Sequence, residues 1–271
     1  MVGVATVPSL TTRFLLDATV LSSSTLSFVY NLRFCGGIKI RLICSGLMGA
    51  ENHKICRSMR DKEATILFDF DGTIAETMML IFKVFNRLAG TYGYRSLSET
   101  EIESVRHLNI HEFIEYTGIS RWKVPFVAIH ARRLMHHDIH EIHPPEGLVE
   151  ALTCIHDSAQ YHLDILTSNR PRNVHAFLAQ HKIDWFDEIH ATRAIFSKKR
   201  RVQKYIREKK IDPKLLYYVG DTTIDVESAR LAGVRSVAVS WGLNTPEALA
   251  RSQPDYLIHH PSELLQIFPC S

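Results

Sequence analysis

Asp69 and Asp71 close an apolar run, residues 64–70, and stand just ahead of Gly72. Carboxylates this close repel unless a cation lies between them or one is protonated. A hard divalent ion such as Mg2+ takes carboxylate and backbone oxygens together. Gly72 lets the chain turn sharply and brings backbone N–H groups near an anion. The competing reading is a pair of solvated loop acids, a frequent arrangement in turns. Three further clusters have chemical potential. In Thr167-Ser168-Asn169 a hydroxyl and the amides after it could bind phosphoryl oxygens, or merely cap a turn. Lys198 opens a basic run in which one ammonium could neutralise a phosphate and hold a carboxylate. Lys199, Arg200 and Arg201 read as its solvated remainder, and helix spacing favours Lys198 over Lys199 as the functional lysine. Asp221 and Asp225, in Gly220-Asp-Thr-Thr-Ile-Asp225, could bind a metal or cap a helix.

The elements that must position these groups follow from the pattern around them. Residues 64–70, 162–167, 215–219 and 234–240 are short apolar runs without alternation, as suits strands buried on both faces of a parallel sheet. Helical stretches at 146–159, 173–181, 198–210 and 225–232 lie between them. Strand–helix alternation predicts an α/β fold with a doubly wound parallel sheet. In such sheets ligands bind at the carboxyl ends of the strands. Asp69, Thr167 and Asp221 each fall at such an end.

Residues 77–146 break the alternation. Leu80, Ile81, Val84, Phe85 and Leu88 have helical spacing over 78–88, stopping at Gly90 and Gly93. Ser98 and Glu101 form a capping box that opens another helix. Pro125 stands near the start of a third, 126–139. This predicts a small all-helical insertion standing over the sheet's carboxyl edge as a lid. Its cations are Arg121, Lys123, Arg132, Arg133, His136, His137, His140 and His143. Arg132 with His136, and Arg133 with His137, are neighbours one helical turn apart. A face of this kind turned to the site could hold an anionic leaving group; the bland reading is a solvated surface. His136, His140 and His143 are spaced for a transition metal, but nothing supplies a fourth ligand.

At 271 residues, 45% hydrophobic and 23% charged, the chain has the composition of a globular protein. A net charge of +3 is too small to suggest nucleic acid, and no run suits a membrane span. Residues 1–60 are different, with seven Lys/Arg against two acids and twelve Ser/Thr. They show no sustained helical or strand period. They read as a transit peptide or as an extension upstream of a start at Met48 or Met59. We expect them to be disordered or outside the fold. Five cysteines without a C-x-x-C do not make a disulfide framework, so a reducing, cytoplasmic setting is expected, or an organelle if the leader is a transit peptide.

In register, Asp69-Phe-Asp-Gly-Thr-Ile-Ala-Glu-Thr77, Thr167-Ser-Asn169, Lys198 and Tyr218-Val-Gly-Asp-Thr-Thr-Ile-Asp225 resemble the haloacid dehalogenase superfamily, in its phosphoglycolate-phosphatase-like branch. The resemblance spans about residues 64–268. It implies a Rossmann-type core, residues 61–76 and 147–271, and a helical cap, residues 77–146, inserted after the first motif. It implies that Asp69 is the nucleophile, forming an aspartyl phosphate. Asp71 is then general acid and later base, and marks phosphate-ester rather than carbon–halogen chemistry. Gly72, Thr167, Ser168 and Lys198 bind the phosphoryl group. Asp69, Asp71, Asp221 and Asp225 hold or support Mg2+. Both catalytic carboxylates are expected to touch solvent. The implied partner is a small phosphorylated metabolite. A phosphotransferase or mutase on the same site, or a non-catalytic regulator, are the alternatives.

Overall fold

The computed structural model describes residues 15–20, 27–33, 39–45, 64–135, 138–191 and 198–270. Residues 1–60 and 61–271 form two separate units. The first carries β1 (Leu15–Val20), β2 (Ser27–Arg33) and β3 (Lys39–Ser45), paired antiparallel in that order. No sustained strand period marks these segments in the sequence. The period-two signal, as in Lys39-Ile-Arg-Leu42, is only a few residues long and is easily missed. Met48 and Met59 lie outside the described residues.

The second unit is built on one all-parallel sheet. Its strands are β4 (Ala64–Phe68), β5 (Tyr161–Thr167), β6 (Glu188–Ala191), β7 (Leu216–Gly220), β8 (Arg235–Val239) and β9 (Tyr256–Ile258). Their spatial order is β6-β5-β4-β7-β8-β9. From β4 the chain runs outward to one edge, returns at β7 and runs to the other. The order therefore reverses between β4 and β7, where a doubly wound sheet opens a crevice at its carboxyl ends. Phe68 pairs in register with Ile165 on one side and Val219 on the other. Ile66, Leu67 and Phe68 are fully buried, as the unbroken apolar run requires. β6 and β9, which the sequence reading did not include, are short edge strands; β6 has no fully buried residue to mark it.

The helices of the insertion are α1 (Met78–Tyr92), α2 (Glu99–Val105), α3 (Ile110–Thr117) and α4 (Val124–Leu134). α1 runs through Gly90 and stops at Gly93, which takes a left-handed conformation (φ 69°). The Ser98/Glu101 capping box forms as expected. A second box, Asn109 with Glu112, opens α3, which the sequence reading passed over. Phe82, Leu97, Ile102 and Val105 bury the α1–α2 interface. No strand occurs among the described residues of the insertion.

The core helices are α5 (Leu148–Asp157), α6 (Pro171–Gln180), α7 (Lys198–Lys209), α8 (Thr223–Ala232), α9 (Pro246–Arg251) and α10 (Leu264–Ile267). Leu152, Ile155, Leu264 and Phe268 share the main hydrophobic cluster and draw the chain's end against α5. Cys154 and Cys270 are thereby brought to a Cα separation of 5.9 Å and form a disulfide. The sequence offered no reason to pair these two, because 116 residues separate them. No helix among the described residues is long and apolar enough to cross a membrane.

Candidate active site

Asp69 follows the last residue of β4, and its N–H donates to the Val219 carbonyl at 2.8 Å, tying the loop to β7. The chain then coils on itself. The Phe70 carbonyl accepts from the N–H groups of Ile74 and Ala75, both at 3.0 Å, and Phe70 packs edge-on against Phe177. Trp241 Nε1 donates to the Thr73 carbonyl from across the site. This tight turn is why Asp69 and Asp71 have fixed, different surroundings although one residue separates them.

Asp69 is 5% exposed. The expected contact with solvent at the strand end is made only barely, because the crevice buries it. Its Oδ1 accepts from the Phe70 N–H at 2.9 Å, and Lys198 Nζ donates to its Oδ2 at 2.5 Å. The same ammonium reaches Asp225 Oδ1 at 2.6 Å. Lys198 is held there because it begins α7, whose apolar face (Val202, Tyr205) is buried. Lys199 and Arg200 point away into solvent. Burial raises the Asp69 carboxyl against the pull of Lys198. Burial also works to discharge Lys198, but the Asp225 and Asp69 carboxylates outweigh it and hold the ammonium well above its usual range.

Asp71 is partly buried and faces β5. Asn169 Nδ2 donates to both of its oxygens, at 2.9 and 3.2 Å. The orientation of that amide is determined by its other end. Asn169 Oδ1 accepts from the Arg170 N–H at 2.7 Å and from Asn173 Nδ2 at 2.9 Å, so only its NH2 can face Asp71. Burial first, and the Asp69 charge second, push Asp71 up to about 6. Sequence reasoning named Asn169 within a motif but gave it no role and missed Asn173; a side chain four residues along a helix is legible as its neighbour only once the helix start at Pro171 is known.

Thr167 ends β5 fully buried, and its Oγ1 accepts from the Asn169 N–H at 2.9 Å; Ser168 is partly exposed beside it. Arg201 departs from expectation. It is 6% exposed, not solvated, and its Nη1 donates to the Thr167 carbonyl at 2.9 Å. It lies three residues beyond Lys198, on the same face of α7.

Asp221 and Asp225 are both buried. Asp225 is at N3 of α8 and makes a capping box with Thr222; its Oδ1 takes Lys198 and the Tyr218 hydroxyl, and its Oδ2 takes Thr222. Asp221 Oδ2 accepts from the Leu243 N–H at 2.7 Å, whereas its buried Oδ1 has no partner among the described residues. Burial, then Asp225 and Asp69, push Asp221 up to about 8. One oxygen from each of Asp69, Asp221 and Asp225 lies within 4.8 Å of the others. Three buried carboxylates, one with an orphaned oxygen, fit a hard divalent cation. The backbone makes room for this cluster. At Gly72 (φ +75°) and at Gly242 a side chain would overlap the Asp221 carboxylate.

The insertion is fastened to the same loop. Arg106, after α2, donates to the carbonyls of Gly242 and Leu243 at 3.0 and 3.1 Å. Asn244 Nδ2 donates to the Arg106 carbonyl at 2.8 Å, and the Glu76 N–H to the His143 carbonyl at 3.0 Å where the chain enters and leaves the insertion. Its cations divide. Lys123 donates to the Tyr92 carbonyl, Arg121 pairs with Glu115, and Arg133, His140 and His143 are exposed. His136 and His137 lie outside the described residues. Arg132 is partly buried, within charge–charge range of Asp71.

Comparison with known proteins gives the same pattern a context. Residues 66–239 match the family described as haloacid dehalogenase-like hydrolase. The phosphoglycolate phosphatase of Synechococcus elongatus is 31% identical over 202 residues, 74% of this chain and 95% of that protein. Pyrophosphatase PpaX of Bacillus thuringiensis is 26% identical over 213 residues, 75% of this chain and 95% of the relative. A haloacid dehalogenase-like hydrolase from Streptococcus pneumoniae superposes with a TM-score of 0.63 at 22% identity, covering 76% of this chain and 99% of that one, a likeness of fold. With a family match over most of the second unit and a 31% identical relative covered almost end to end, the chain belongs to the haloacid dehalogenase-like hydrolase family.

Proposed function

We propose that the protein is a Mg2+-dependent phosphatase of small phosphorylated metabolites, phosphoglycolate-like in kind, working through an aspartyl phosphate. The observation that carries this reading is the asymmetric treatment of two neighbouring carboxylates: Lys198 holds Asp69, while Asn169 aims Asp71 the other way. An Asp69 oxygen attacks phosphorus as the bond to the leaving oxygen breaks. Asp71 gives its proton to that oxygen, then takes one from the water that cleaves the acyl phosphate and frees inorganic phosphate. A carboxyl lifted to about 6 is suited to both tasks. Lys198, Thr167, Ser168 and the amides around Gly72 hold the phosphoryl oxygens. Asp69, Asp221 and the Asp71 backbone carbonyl would hold Mg2+, with Asp225 supporting through Lys198. The ion, when bound, offsets the repulsion between an anionic nucleophile and an anionic phosphate. Residues 61–76 and 147–271 are the catalytic core and 77–146 the cap.

The deciding experiment is phosphate release from a panel of metabolites with and without Mg2+, combined with acid quench and mass spectrometry of the peptide carrying Asp69. A hydroxylamine-labile phosphoryl adduct and Mg2+-dependent release are expected. An adduct with no release of inorganic phosphate points to the phosphotransferase reading; neither adduct nor release overturns the assignment.

Two further outcomes are expected. Mg2+ at about 100 times its Kd should stabilise the fold by about 2.7 kcal/mol, since only the folded chain assembles the acidic cluster. For a unit of this size that is a rise in melting temperature of about 5–10 °C, measurable by calorimetry. Asp221→Asn should abolish the rise; an unchanged shift in that variant would show the ion binds elsewhere. Removal of residues 1–60 should leave phosphate release within about twofold, because every reacting group lies in the second unit. Relatives covered over 95% of their length match only about three quarters of this chain, in keeping with that expectation. An insoluble or inactive truncated chain would show that the leading strands belong to the working fold.

A further inference from the structure

Asp221 keeps one oxygen back for the acidic cluster. Its Oδ2 is taken by the Leu243 N–H at 2.7 Å, while its buried Oδ1 has no partner among the described residues. The loop between β8 and α9, residues 240–245, therefore decides which oxygen is left over. That loop lies directly on the carboxylate, since a side chain at Gly242 would overlap it. A backbone amide can aim a carboxylate only as firmly as its own peptide is held. Here the hold comes from the insertion. Arg106, after α2, spreads its guanidinium along two successive peptides: Nη2 donates to the Gly242 carbonyl at 3.0 Å and Nε to the Leu243 carbonyl at 3.1 Å. The first of these peptides carries the Leu243 N–H that holds Asp221 Oδ2. The second carries the Asn244 N–H, which donates to the Asp221 carbonyl at 3.3 Å. Both are trans, so carbonyl and N–H point to opposite sides of a rigid plane. Each peptide thus runs from Arg106 of the insertion to Asp221 of the core, and a grip on its oxygen fixes the direction of its N–H.

Asn244, 5% exposed, fastens the same loop from its other side. Its Nδ2 donates to the carbonyls of Arg106 and Leu108, at 2.8 and 3.3 Å, and its Oδ1 accepts from the N–H of Thr223, the first residue of α8, at 3.0 Å. We propose that Arg106 and Asn244 are positioning residues for the metal carboxylate, a clasp through which the insertion sets the aim of Asp221 toward the ion. The proposal rests on the phosphatase reading, in particular on Asp221 as a ligand of Mg2+. Arg106 suits the task because its planar fork spans two carbonyls at once. Linkage runs both ways: an ion that fixes Asp221 also steadies the seam between insertion and core.

The test titrates Mg2+ alone into the resting protein by calorimetry and follows phosphate release against Mg2+ concentration. Arg106→Met keeps the apolar stem and loses the fork. Its Kd for Mg2+ should rise about tenfold, within the range that loss of an outer-shell partner costs. Its kcat at saturating Mg2+ should stay within about threefold of wild type, because the reacting groups are untouched. Arg106→Lys, which reaches one carbonyl without forking across both, should fall between. Asn244→Ala should raise Kd by a similar factor, and the double variant by little more than either alone, since both free the same loop. Glu103→Gln, at the exposed partner of Arg106, leaves both carbonyl contacts in place and should match wild type. Mg2+ should slow amide exchange over residues 242–245 in wild type, and less in Arg106→Met. A merely structural join would lower the melting temperature and leave the ion's affinity alone, so a Kd within about twofold of wild type in the folded single variants overturns the clasp and leaves the phosphatase standing. If Arg106→Met does not fold, Arg106→Lys and Asn244→Ala carry the test. Wild type that releases phosphate without binding Mg2+ overturns the clasp as well. Wild type that neither binds Mg2+ nor releases phosphate overturns the phosphatase reading itself.

Discussion

Asp69→Asn is expected to remove turnover altogether, a loss on the order of 10⁵-fold or more, because in the proposed mechanism Asp69 is the nucleophile. The fold should survive unharmed. The asparagine carbonyl can still accept from the Phe70 N–H, and Lys198 keeps Asp225 as its counter-ion at 2.6 Å. Removal of one of three crowded carboxylates also relieves repulsion, so the melting temperature should stay or rise. Asp71→Asn should differ in kind. It cannot supply a proton, so alkyl phosphates should slow by about 10²–10⁴-fold. An aryl phosphate, whose leaving group departs without help, should still load Asp69 and then stall, giving a burst of phenolate with little phosphate. Steady phosphate release from the Asp69→Asn protein at more than about a thousandth of the wild-type rate would exclude the covalent route.

Lys198→Met should be the most damaging single change to stability. It leaves Asp69 and Asp225 facing each other in a crevice, with side chains 6% and 1% exposed. Removing one partner of a buried ionic cluster costs about 3–5 kcal/mol, here about 10 °C or more in melting temperature. Activity should go with it, since the same ammonium donates to Asp69, the proposed nucleophile. Lys199→Met, one residue on but in solvent, should stay within about 0.5 kcal/mol of wild type. Chemical denaturation of the two variants side by side is the check. Equal effects would mean that the helix phase assigned to α7 is wrong.

Much of this molecule is legible in its sequence. β4, β5, β7 and β8 are apolar on both faces, and strands of that kind have few other uses. Strand–helix alternation makes their sheet parallel, and a parallel sheet binds at its carboxyl ends; Asp69, Thr167 and Asp221 are already there in one dimension. What a linear reading cannot supply is phase and distance. Lys198, Lys199, Arg200 and Arg201 are four like cations in a row, and only the rotation of α7 against the sheet buries the first and last and leaves the middle two in water. Asn169 is a plain turn residue until the start of α6 brings Asn173 against it and turns its amide toward Asp71. Cys154 and Cys270 meet because α5 and the chain's end share one apolar cluster. β6 and β9 are called strands by their neighbours' hydrogen bonds and not by their own residues. Local apolar pattern is a property of consecutive residues, so the sequence determined the elements and the chemistry at their ends; the meeting of side chains far apart in the chain depends on how whole elements pack, and only the tertiary structure decided which cations face the site and which face solvent.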